Sequence, residues 1–370
     1  MDGRFTKGRY AIPELPEVET VRRELAPWLT GQVITRAARV HAPSSPKYAD
    51  IDVALGKRIV EVKRRGKFLL LPLVDSTGEQ SWELIIHLGM TGVVKRVADV
   101  MVDTAITTGA NQTSANQTSA NKAGTNKAGT NKVDAKKVDT KKVDTDDDNA
   151  VTDLSDDVVI ADVVHNNDCD DKDDVDKDVV DKYVRVRLEL RSDTGEVSHL
   201  LFEDMRRFGR FLVVSEGDYS TLPTLRSMGA EPFDEALTEA RFWQMLQNSK
   251  TAIKTYLLSQ RPVAGVGNIY ADEALWEARI HPKTPAFRIS KKHASALLVA
   301  LREVLAKSIE LQGTTLRDYR TVNGEVGQFA SYLRVYGKTA EPCPRCGHPI
   351  ERLMIGGRSS HLCPACQKRS

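Results

Sequence analysis

Residues 343–366 read CPRCGHPIERLMIGGRSSHLCPAC, and this segment decides the fold of the C-terminal end. It holds two Cys-x2-Cys pairs, formed by Cys343, Cys346, Cys363 and Cys366. This spacing places four thiolates at tetrahedral distance around one Zn²⁺ and is typical of a zinc ribbon. Disulfide pairing is the alternative, which a cytoplasmic chain disfavours. Because all four ligands are cysteines, no position is left for water, and we predict one structural zinc ion.

Basic side chains surround these cysteines, namely Arg345, Arg352, Arg358, Lys368 and Arg369. They indicate either a solvated basic face or a hairpin that places arginine against phosphate. Composition does not separate these two interpretations.

Upstream of the ribbon, residues 234–248, 250–260, 268–278 and 290–312 follow a helical periodicity, with short Gly/Pro breaks between them. Gly265 and Gly267 precede the third of these segments, but the third glycine and the preceding strand of a dinucleotide-binding loop are missing. We expect the two glycines to let backbone N–H groups and a helix N-terminus approach an anion. Asn268 can cap this helix or donate to phosphate.

The N-terminal part of the chain is rich in predicted strands. Apolar and charged residues alternate over 184–191, which places one face inward. Further strands are expected within 32–40, 58–74, 82–97 and 197–214. One helix precedes them, since Val18, Val21, Leu25 and Trp28 fall at helical spacing.

Residues 99–181 interrupt this pattern with near-verbatim pentapeptides and an Asp-rich tract. The stretch contains 20 Asp, 9 Lys and no aromatic residue, so it carries a net charge of −11. Such a segment has no means to build a core, and we predict a disordered low-complexity insertion, either a tolerated loop expansion or an acidic regulatory segment. With the whole chain at +2, the remainder carries +13, a balance typical of polyanion-binding proteins and of some other basic proteins.

The 370 residues, with 41% hydrophobic and 28% charged residues, indicate a globular chain of two domains plus the ribbon. No apolar run reaches the roughly 18 residues of a membrane-spanning helix. The first twelve residues, MDGRFTKGRYAI, lack the apolar region of a secretory signal. We therefore expect a cytoplasmic protein without membrane contact.

Six motifs, in order, resemble those of the formamidopyrimidine-DNA glycosylase (Fpg) family. They are PELPEVETVRREL at 13–25, KRRGKFLLL at 63–71, HLGMTG at 87–92, DMRRFGR at 204–210, KTAIKTYLLSQRPVAGVGNIYADEALW at 250–276 and GRSSHLCPACQK at 357–368. The sister group, which resembles endonuclease VIII, typically opens with PEGPE, whereas this chain has Leu15. The resemblance thus favours the oxidised-purine branch.

The resemblance implies an α+β fold with three parts and DNA in the cleft between domains. An N-terminal β-sandwich with a leading helix would occupy 13–98 and 182–222. A helix-two-turn-helix (H2TH) domain would occupy 223–335, and the zinc ribbon 336–370. Residues 1–12 would be an extension and 99–181 the insertion. We expect a monomer, as one lesion needs one site.

The resemblance also implies a base-excision-repair enzyme that removes 8-oxoguanine and formamidopyrimidines from duplex DNA and cleaves abasic sites by β,δ-elimination. Pro13 matches the N-terminal proline whose amine attacks the sugar and forms a Schiff base. Glu14 matches the acid that protonates the sugar ring oxygen. Lys67 matches the lysine of β-elimination and lesion contact. Arg358 matches the arginine that holds phosphate and assists δ-elimination.

Further residues match positions of the family that contact DNA. Met90, Arg206 and Phe208 match those that fill the gap left by a flipped nucleotide. Lys250, Lys254 and Asn268 match phosphate-facing positions of the H2TH motif. Tyr183 or Arg185 lies where the family often has a histidine that touches DNA.

One departure affects the chemistry. Inside a chain, the nitrogen of Pro13 is a tertiary amide without nucleophilicity. Translation that starts at Ile12, from a non-AUG codon and with later removal of that residue, is one explanation, and proteolytic removal of 1–12 is another. If the extension stays, the chain would be a catalytically silent DNA-lesion-binding protein. A zinc-ribbon nucleic-acid module of another kind would explain the charge and the cysteines, but not the motifs at 13–25 and 63–71.

Overall fold

The computed structural model describes residues 12–78, 81–98, 181–316 and 319–369. Nearly all of the predicted extension 1–12 and of the predicted insertion 99–181 therefore lies outside the described residues. Among the residues that are described, none of the helices is long and apolar enough to cross a bilayer.

Helix α1, Leu15–Leu29, opens the described chain. The Glu17 carboxylate accepts a hydrogen bond from the backbone N–H of Glu14 at 2.9 Å, which closes the first turn. Pro16 lies in that turn, where its missing N–H costs nothing. The predicted apolar stripe, Val18 to Trp28, is buried against the sheet.

Nine antiparallel strands form the N-terminal sheet, and they pair in the order β6-β8-β7-β1-β2-β4-β5-β9, with β3 on β4. They are β1 Val33–Arg39, β2 Arg58–Ile59, β3 Lys63–Arg65, β4 Phe68–Val74, β5 Ser81–His87, β6 Gly92–Ala98, β7 Val184–Arg191, β8 Val197–Asp204 and β9 Arg210–Ser215. Strands β6 and β7 both pair with β8, so the chain on either side of the insertion belongs to one sheet.

The sheet curls until its two ends face each other. Phe202 on β8 and Phe211 on β9 lie near opposite ends of the strand order, yet their ring centroids are 5.6 Å apart. Both rings are buried in the core that also receives α1. This arrangement gives the two packed layers predicted for the N-terminal domain.

Five α-helices follow the sheet in the described part of the chain. They are α2 Pro223–Arg226, α3 Glu239–Gln247, α4 Ile253–Leu258, α5 Asn268–Glu277 and α6 Lys291–Glu310. Their common core contains Leu297, Leu301 and Leu305 of α6 and reaches back to Leu15 at the start of α1. The helical part thus packs directly against the residues next to Pro13.

The chain ends in the hairpin of β10, Glu351–Ile355, and β11, Arg358–Leu362. Trp276 of α5 and Ile350 form a small core with Cys343 and Cys363. The fold is the α+β arrangement predicted from the sequence, with a sheet domain, an H2TH domain and a four-cysteine ribbon.

Candidate active site

Glu14 lies in a cradle of backbone N–H groups at the start of α5. Its carboxylate accepts hydrogen bonds from the N–H of Gly267 at 2.7 Å and of Ile269 at 2.8 Å. The side chain is 2% exposed, as is expected next to the buried Pro13. The acid is thereby fixed next to Pro13, the residue for which the sequence resemblance predicts the role of nucleophile.

The two glycines before α5 are required for this approach. A Cβ on Gly267 would lie 2.3 Å from Cδ of Glu14, and one on Gly265 would lie 2.5 Å from Cβ of Leu15. Gly265 also has φ +79°, a conformation that other residues rarely adopt. The anion that this helix N-terminus receives is therefore the carboxylate of Glu14, from the chain itself.

Burial raises the pKa of Glu14 to about 7, although the charge of Lys67 opposes the shift and that of Glu17 adds to it. A carboxyl group with this pKa is protonated in a substantial fraction of molecules at neutral pH. It can therefore donate a proton where an ordinary glutamate would be ionised, which is the property of a general acid.

A second buried acid, Glu17, ties α1 to the helical part. Its Oε1 accepts from the Tyr270 hydroxyl at 2.5 Å and from the N–H of Thr314 at 2.6 Å. The same hydroxyl lies 2.6 Å from Ser308 Oγ on α6. This network fixes the helix that carries Glu14. The sequence indicates only its first element, since an acid three residues after Glu14 is a capping-box signal.

Lys67 lies in the tight turn between β3 and β4. The turn is fastened to Glu231, which accepts from the N–H of Gly66 at 2.7 Å and from the guanidinium groups of Arg64 at 2.8 Å and Arg65 at 3.2 Å. Lys67 itself is half-buried and close enough to lower the pKa of Glu14. Glu231 is thus a support for this lysine that the sequence did not reveal.

Lys254 is not at the surface, contrary to the prediction of a phosphate contact. It is fully buried, with Nζ 2.8 Å from Oδ1 of Asp272 and donating to the carbonyl oxygen of Ser359 at 2.6 Å. Burial makes an unpaired ammonium group very costly, so Asp272 on α5 neutralises it. The pair links β11 to the helices. Arg358, the residue before Ser359, is half-buried and lies at the same junction.

Met90, Arg206 and Phe208 lie on two loops that pack against each other. A Cβ on Gly89 would meet the N of Gly209 at 2.5 Å, so the loops approach backbone to backbone. Phe208 is 46% exposed, and the Arg206 guanidinium lies 5.0 Å from its ring centroid. The fold therefore brings the three predicted wedge residues to one edge of the sheet.

Asp204 holds both of these loops and is fully buried. One carboxylate oxygen accepts from the Thr91 hydroxyl at 2.6 Å, and the other from the N–H of Gly209 at 2.7 Å. The Thr91 hydroxyl oxygen in turn accepts from the N–H of Arg206 at 3.0 Å.

We expect Asp204→Asn to lower the free energy of unfolding by about 1–3 kcal/mol, because its NH2 group replaces one of the two carboxylate oxygens and leaves either the Thr91 hydroxyl or the Gly209 N–H without an acceptor. Looser loops should also weaken binding of lesion duplexes, which fluorescence anisotropy measures. Thr91→Ser keeps the hydroxyl and is the matched control, whereas Thr91→Val should behave like Asp204→Asn. Unchanged anisotropy and unchanged melting in Asp204→Asn would contradict this role.

Arg185 also differs from the expected DNA contact. It is 2% exposed, and its guanidinium donates to the carbonyl oxygens of Asp204, His41 and Lys182. It therefore holds the strand ends rather than reaching a ligand. Tyr183, the alternative, is half-buried beside the exposed Lys182, with the ammonium 5.1 Å from the ring centroid.

Lys250 and Asn268 lie at the entrances of the two H2TH helices. Lys250 is exposed in the connection before α4, where it can reach a phosphate. Asn268 begins α5, and its Oδ1 has no hydrogen-bond partner among the described residues. An amide at a helix N-terminus is a suitable phosphate ligand.

The four cysteines fit a tetrahedral metal. Their sulfur atoms all lie within 4.8 Å of one another, with Cys346–Cys363 at 3.5 Å and Cys343–Cys366 at 4.0 Å. Zn–S bonds of about 2.3 Å require tetrahedral sulfur separations of about 3.8 Å. The donor set is closed and made of thiolates only, which suits a structural ion and not a catalytic one.

Removal of this metal should unfold the ribbon. We expect Cys363→Ser to lose the bound zinc and to lower lesion cleavage at least about tenfold, because Arg358 depends on the hairpin that the metal closes. Zinc content by elemental analysis and the melting temperature measure the first effect. Cys169→Ser removes a cysteine outside the predicted ligand set and should change neither. Full zinc content in Cys363→Ser would contradict the assignment.

The fold and the site together place a buried carboxyl group, that of Glu14, where α1 meets the helical part of the chain. Residues 12–211 match the formamidopyrimidine-DNA glycosylase N-terminal domain, residues 228–320 the H2TH domain of the same family, and residues 340–369 the zinc finger found in FPG and IleRS.

Whole-chain comparisons agree with these matches. The chain is 36% identical to formamidopyrimidine-DNA glycosylase of Thermus thermophilus, covering 96% of this chain and 98% of the relative, and 34% identical to that of Deinococcus radiodurans, covering 96% and 97%. The crystal structure of MutM (Fpg) from Thermus thermophilus superposes with a TM-score of 0.67 at 34% identity, covering 97% and 100% of the two chains. The chain belongs to the formamidopyrimidine-DNA glycosylase family and carries one structural zinc ion on its four C-terminal cysteines.

Proposed function

We propose that the chain is a base-excision-repair glycosylase that removes 8-oxoguanine and formamidopyrimidines from duplex DNA and then cleaves the strand as an AP lyase. The observation that carries the proposal is the buried Glu14, with a pKa of about 7, beside Pro13 and within the influence of Lys67. Related solved structures support the substrate class. A variant of Lactococcus lactis Fpg was solved with Fapy-dG DNA (TM-score 0.65, 27% identity, covering 96% of this chain and 100% of that one), and MutM with carbocyclic 8-oxo-G DNA (0.65, 28%, with the same coverage).

The first step would form a covalent bond between enzyme and sugar. Glu14 gives its proton to the ring oxygen as the free amine of Pro13 attacks C1′ and the C1′–O4′ bond breaks. The proline nitrogen then gives up its proton, and its lone pair forms the iminium of a Schiff base as the bond from C1′ to the damaged base breaks. The base leaves with the electron pair of that bond and takes up the proton that the proline nitrogen lost.

The second stage would cut the strand. Removal of a C2′ proton expels the 3′ phosphate, and a further elimination expels the 5′ phosphate. Lys67, whose charge lowers the pKa of Glu14, would move the first of these protons. Arg358 would hold a phosphate and neutralise the charge that leaves with it.

DNA would be held from both sides of this site. Met90, Arg206 and Phe208 would replace the flipped nucleotide in the stack, and Lys250 and Asn268 would bind the backbone. We expect a monomer that acts in the cytoplasm. The domain boundaries predicted from the sequence remain part of this proposal.

The test uses a labelled duplex with one 8-oxoguanine opposite cytosine. We expect cleavage at the lesion that leaves phosphate on both new ends. We expect no cleavage of the same duplex when guanine replaces the 8-oxoguanine. A catalytically silent lesion-binding protein is the second candidate, because the bond between Ile12 and Pro13 ties up the nucleophile. Lesion binding without cleavage by a chain that retains residues 1–12 would favour this second candidate, whereas the same result with a chain shown to begin at Pro13 would overturn the enzymatic proposal.

A further inference from the structure

A cationic cleft lies between the C-terminal end of α5 and the zinc-binding end of the ribbon. It encloses a volume of about 670 Å³, and none of the residues that line it is acidic. Six of the lining residues carry or can carry positive charge, namely Arg279, His281, Arg288, His293, Arg345 and Lys368.

Three of these charges are uncompensated. Arg279, Arg288 and Lys368 are exposed and form no ion pair within the part of the chain that the structure describes. Arg345 differs, since it stacks 4.0 Å from the ring centroid of Trp276 and pairs with Glu277 at 3.2 Å. Three guanidinium and ammonium groups thus line the cleft without an ion-pair partner among the described residues.

Local electrostatics also favour an anion there. The start of the 20-residue helix α6 lines the cleft through its N-cap Ser290, and its first turn contains Lys291 and Lys292 but no acidic residue. The N-terminus is the positive end of the helix macrodipole, and the two lysine side chains add to that positive potential. This end of α6 therefore attracts negative charge. Burial, together with Arg369 and Lys283, lowers the pKa of His281.

A hydrogen-bond donor is also in place. Thr284 is 3% exposed, lines the cleft, and its hydroxyl has no hydrogen-bond partner among the described residues. Buried hydroxyl groups are rarely left unpaired, so a ligand in the cleft is a natural acceptor.

The cleft is separate from the candidate active site. Glu14 binds the N-terminal end of α5, whereas Arg345 contacts Trp276 and Glu277 at the other end. The ten residues of the helix span about 15 Å. A duplex held at Asn268 and Arg358 would therefore leave the cleft free.

We propose that this cleft binds the phosphate backbone of a second DNA segment while the first is held at the active site. The chemistry is sequence-independent, because the cleft offers charged groups and a hydroxyl to phosphate oxygens and none of its lining residues is Phe, Tyr or Trp. Such a contact would let the protein pass from one duplex to another during its search. The proposal goes beyond the proposed function and does not depend on the chemistry of Pro13.

The test is recruitment of a second duplex. The full-length, zinc-loaded protein is first saturated with a short duplex that carries a stable abasic analogue, and a labelled undamaged duplex is then titrated in low salt. We expect the labelled duplex to bind with a salt slope of about −2.7, the value for three phosphate contacts at about 0.9 each. The triple variant Arg279→Ala/Arg288→Ala/Lys368→Ala should bind it at least about tenfold more weakly, with unchanged affinity for the first duplex.

The matched control removes three positive charges elsewhere, through Arg36→Ala/Arg39→Ala/Arg191→Ala on β1 and β7. This control variant should still bind the second duplex. In the wild-type protein, the NMR signals of the His281 ring should shift when the second duplex binds. Equal losses in the two triple variants would overturn the proposal, as would absence of a second binding event in the wild-type protein. Failure of lesion cleavage would leave the inference intact, since binding alone is measured.

Discussion

A chain that begins at Pro13 should be trapped on abasic DNA by borohydride, whereas a chain that retains residues 1–12 should give no adduct. The reason is that an amide nitrogen has no lone pair available for attack, while the secondary amine of a terminal proline has one. The measurement is the mass of the reduced adduct and the residue to which it maps. The effect is close to all-or-none, because no other free α-amine stands beside Glu14.

A chain that begins at Ile12 is the sharpest control. It also carries a free amine, but this amine is displaced by one residue, about 3.8 Å along the chain, from the position next to Glu14. It should give little adduct. N-terminal sequencing of the native protein completes the test. A native chain that starts at Pro13 and is trapped at that residue would support both the proposed N-terminus and the proposed role of Pro13 as nucleophile. Equal trapping of all three chains would place the nucleophile elsewhere.

The fold was largely predictable because its signals are local. The alternation over 184–191 and the stripe from Val18 to Trp28 each depend on a single element, and both lie where their periodicity predicted. The four cysteines were equally clear, since their spacing allows few geometries. None of these patterns depends on how distant segments meet.

The environment of the site residues was not predictable in the same way. Motif matching gives a position in the chain but not the side chain's surroundings, so Lys254 and Arg185 were expected at the DNA and are buried instead. Their partners, Asp272 and the carbonyl groups near Asp204, come from segments far away in sequence. Glu231 was missed for the same reason, as its partners lie some 165 residues earlier. Long-range pairing of this kind leaves no periodic signal.

At Gly265 and Gly267, too, the sequence predicted the kind of contact but not the group that makes it. The sequence correctly indicated a close approach of an anion to a helix N-terminus, and DNA phosphate was the natural candidate. In the structure, the carboxylate of Glu14 takes this place, and Asn268 at the start of α5 stays a predicted DNA contact. The helix dipole therefore serves to hold the acid, although burial outweighs the hydrogen bonds and keeps its pKa near 7.

Glu14→Gln should abolish most of the base excision while it leaves trapping on abasic DNA. An amide offers no proton of suitable acidity to the ring oxygen, and the loss of a general acid costs about 10²–10⁴-fold in rate. An abasic sugar already equilibrates with its open aldehyde, so Schiff-base formation there does not need this proton. Single-turnover rates on 8-oxoguanine and abasic duplexes, with the chain beginning at Pro13, measure the difference. Glu303→Gln, an exposed acid on α6, is the matched control and should change neither rate.

The pH profile gives the same hypothesis a second readout. The pKa of Glu14 is raised to about 7, so its protonated form dominates below that pH and is lost above it. Excision by the wild-type enzyme should therefore fall about tenfold per pH unit above 7, while the need for a neutral Pro13 amine limits it on the acid side. In Glu14→Gln the residual excision should lose the decline above pH 7, because no carboxyl group remains to ionise. A decline that persists unchanged in the variant would assign the titration, and with it the proton, to another group.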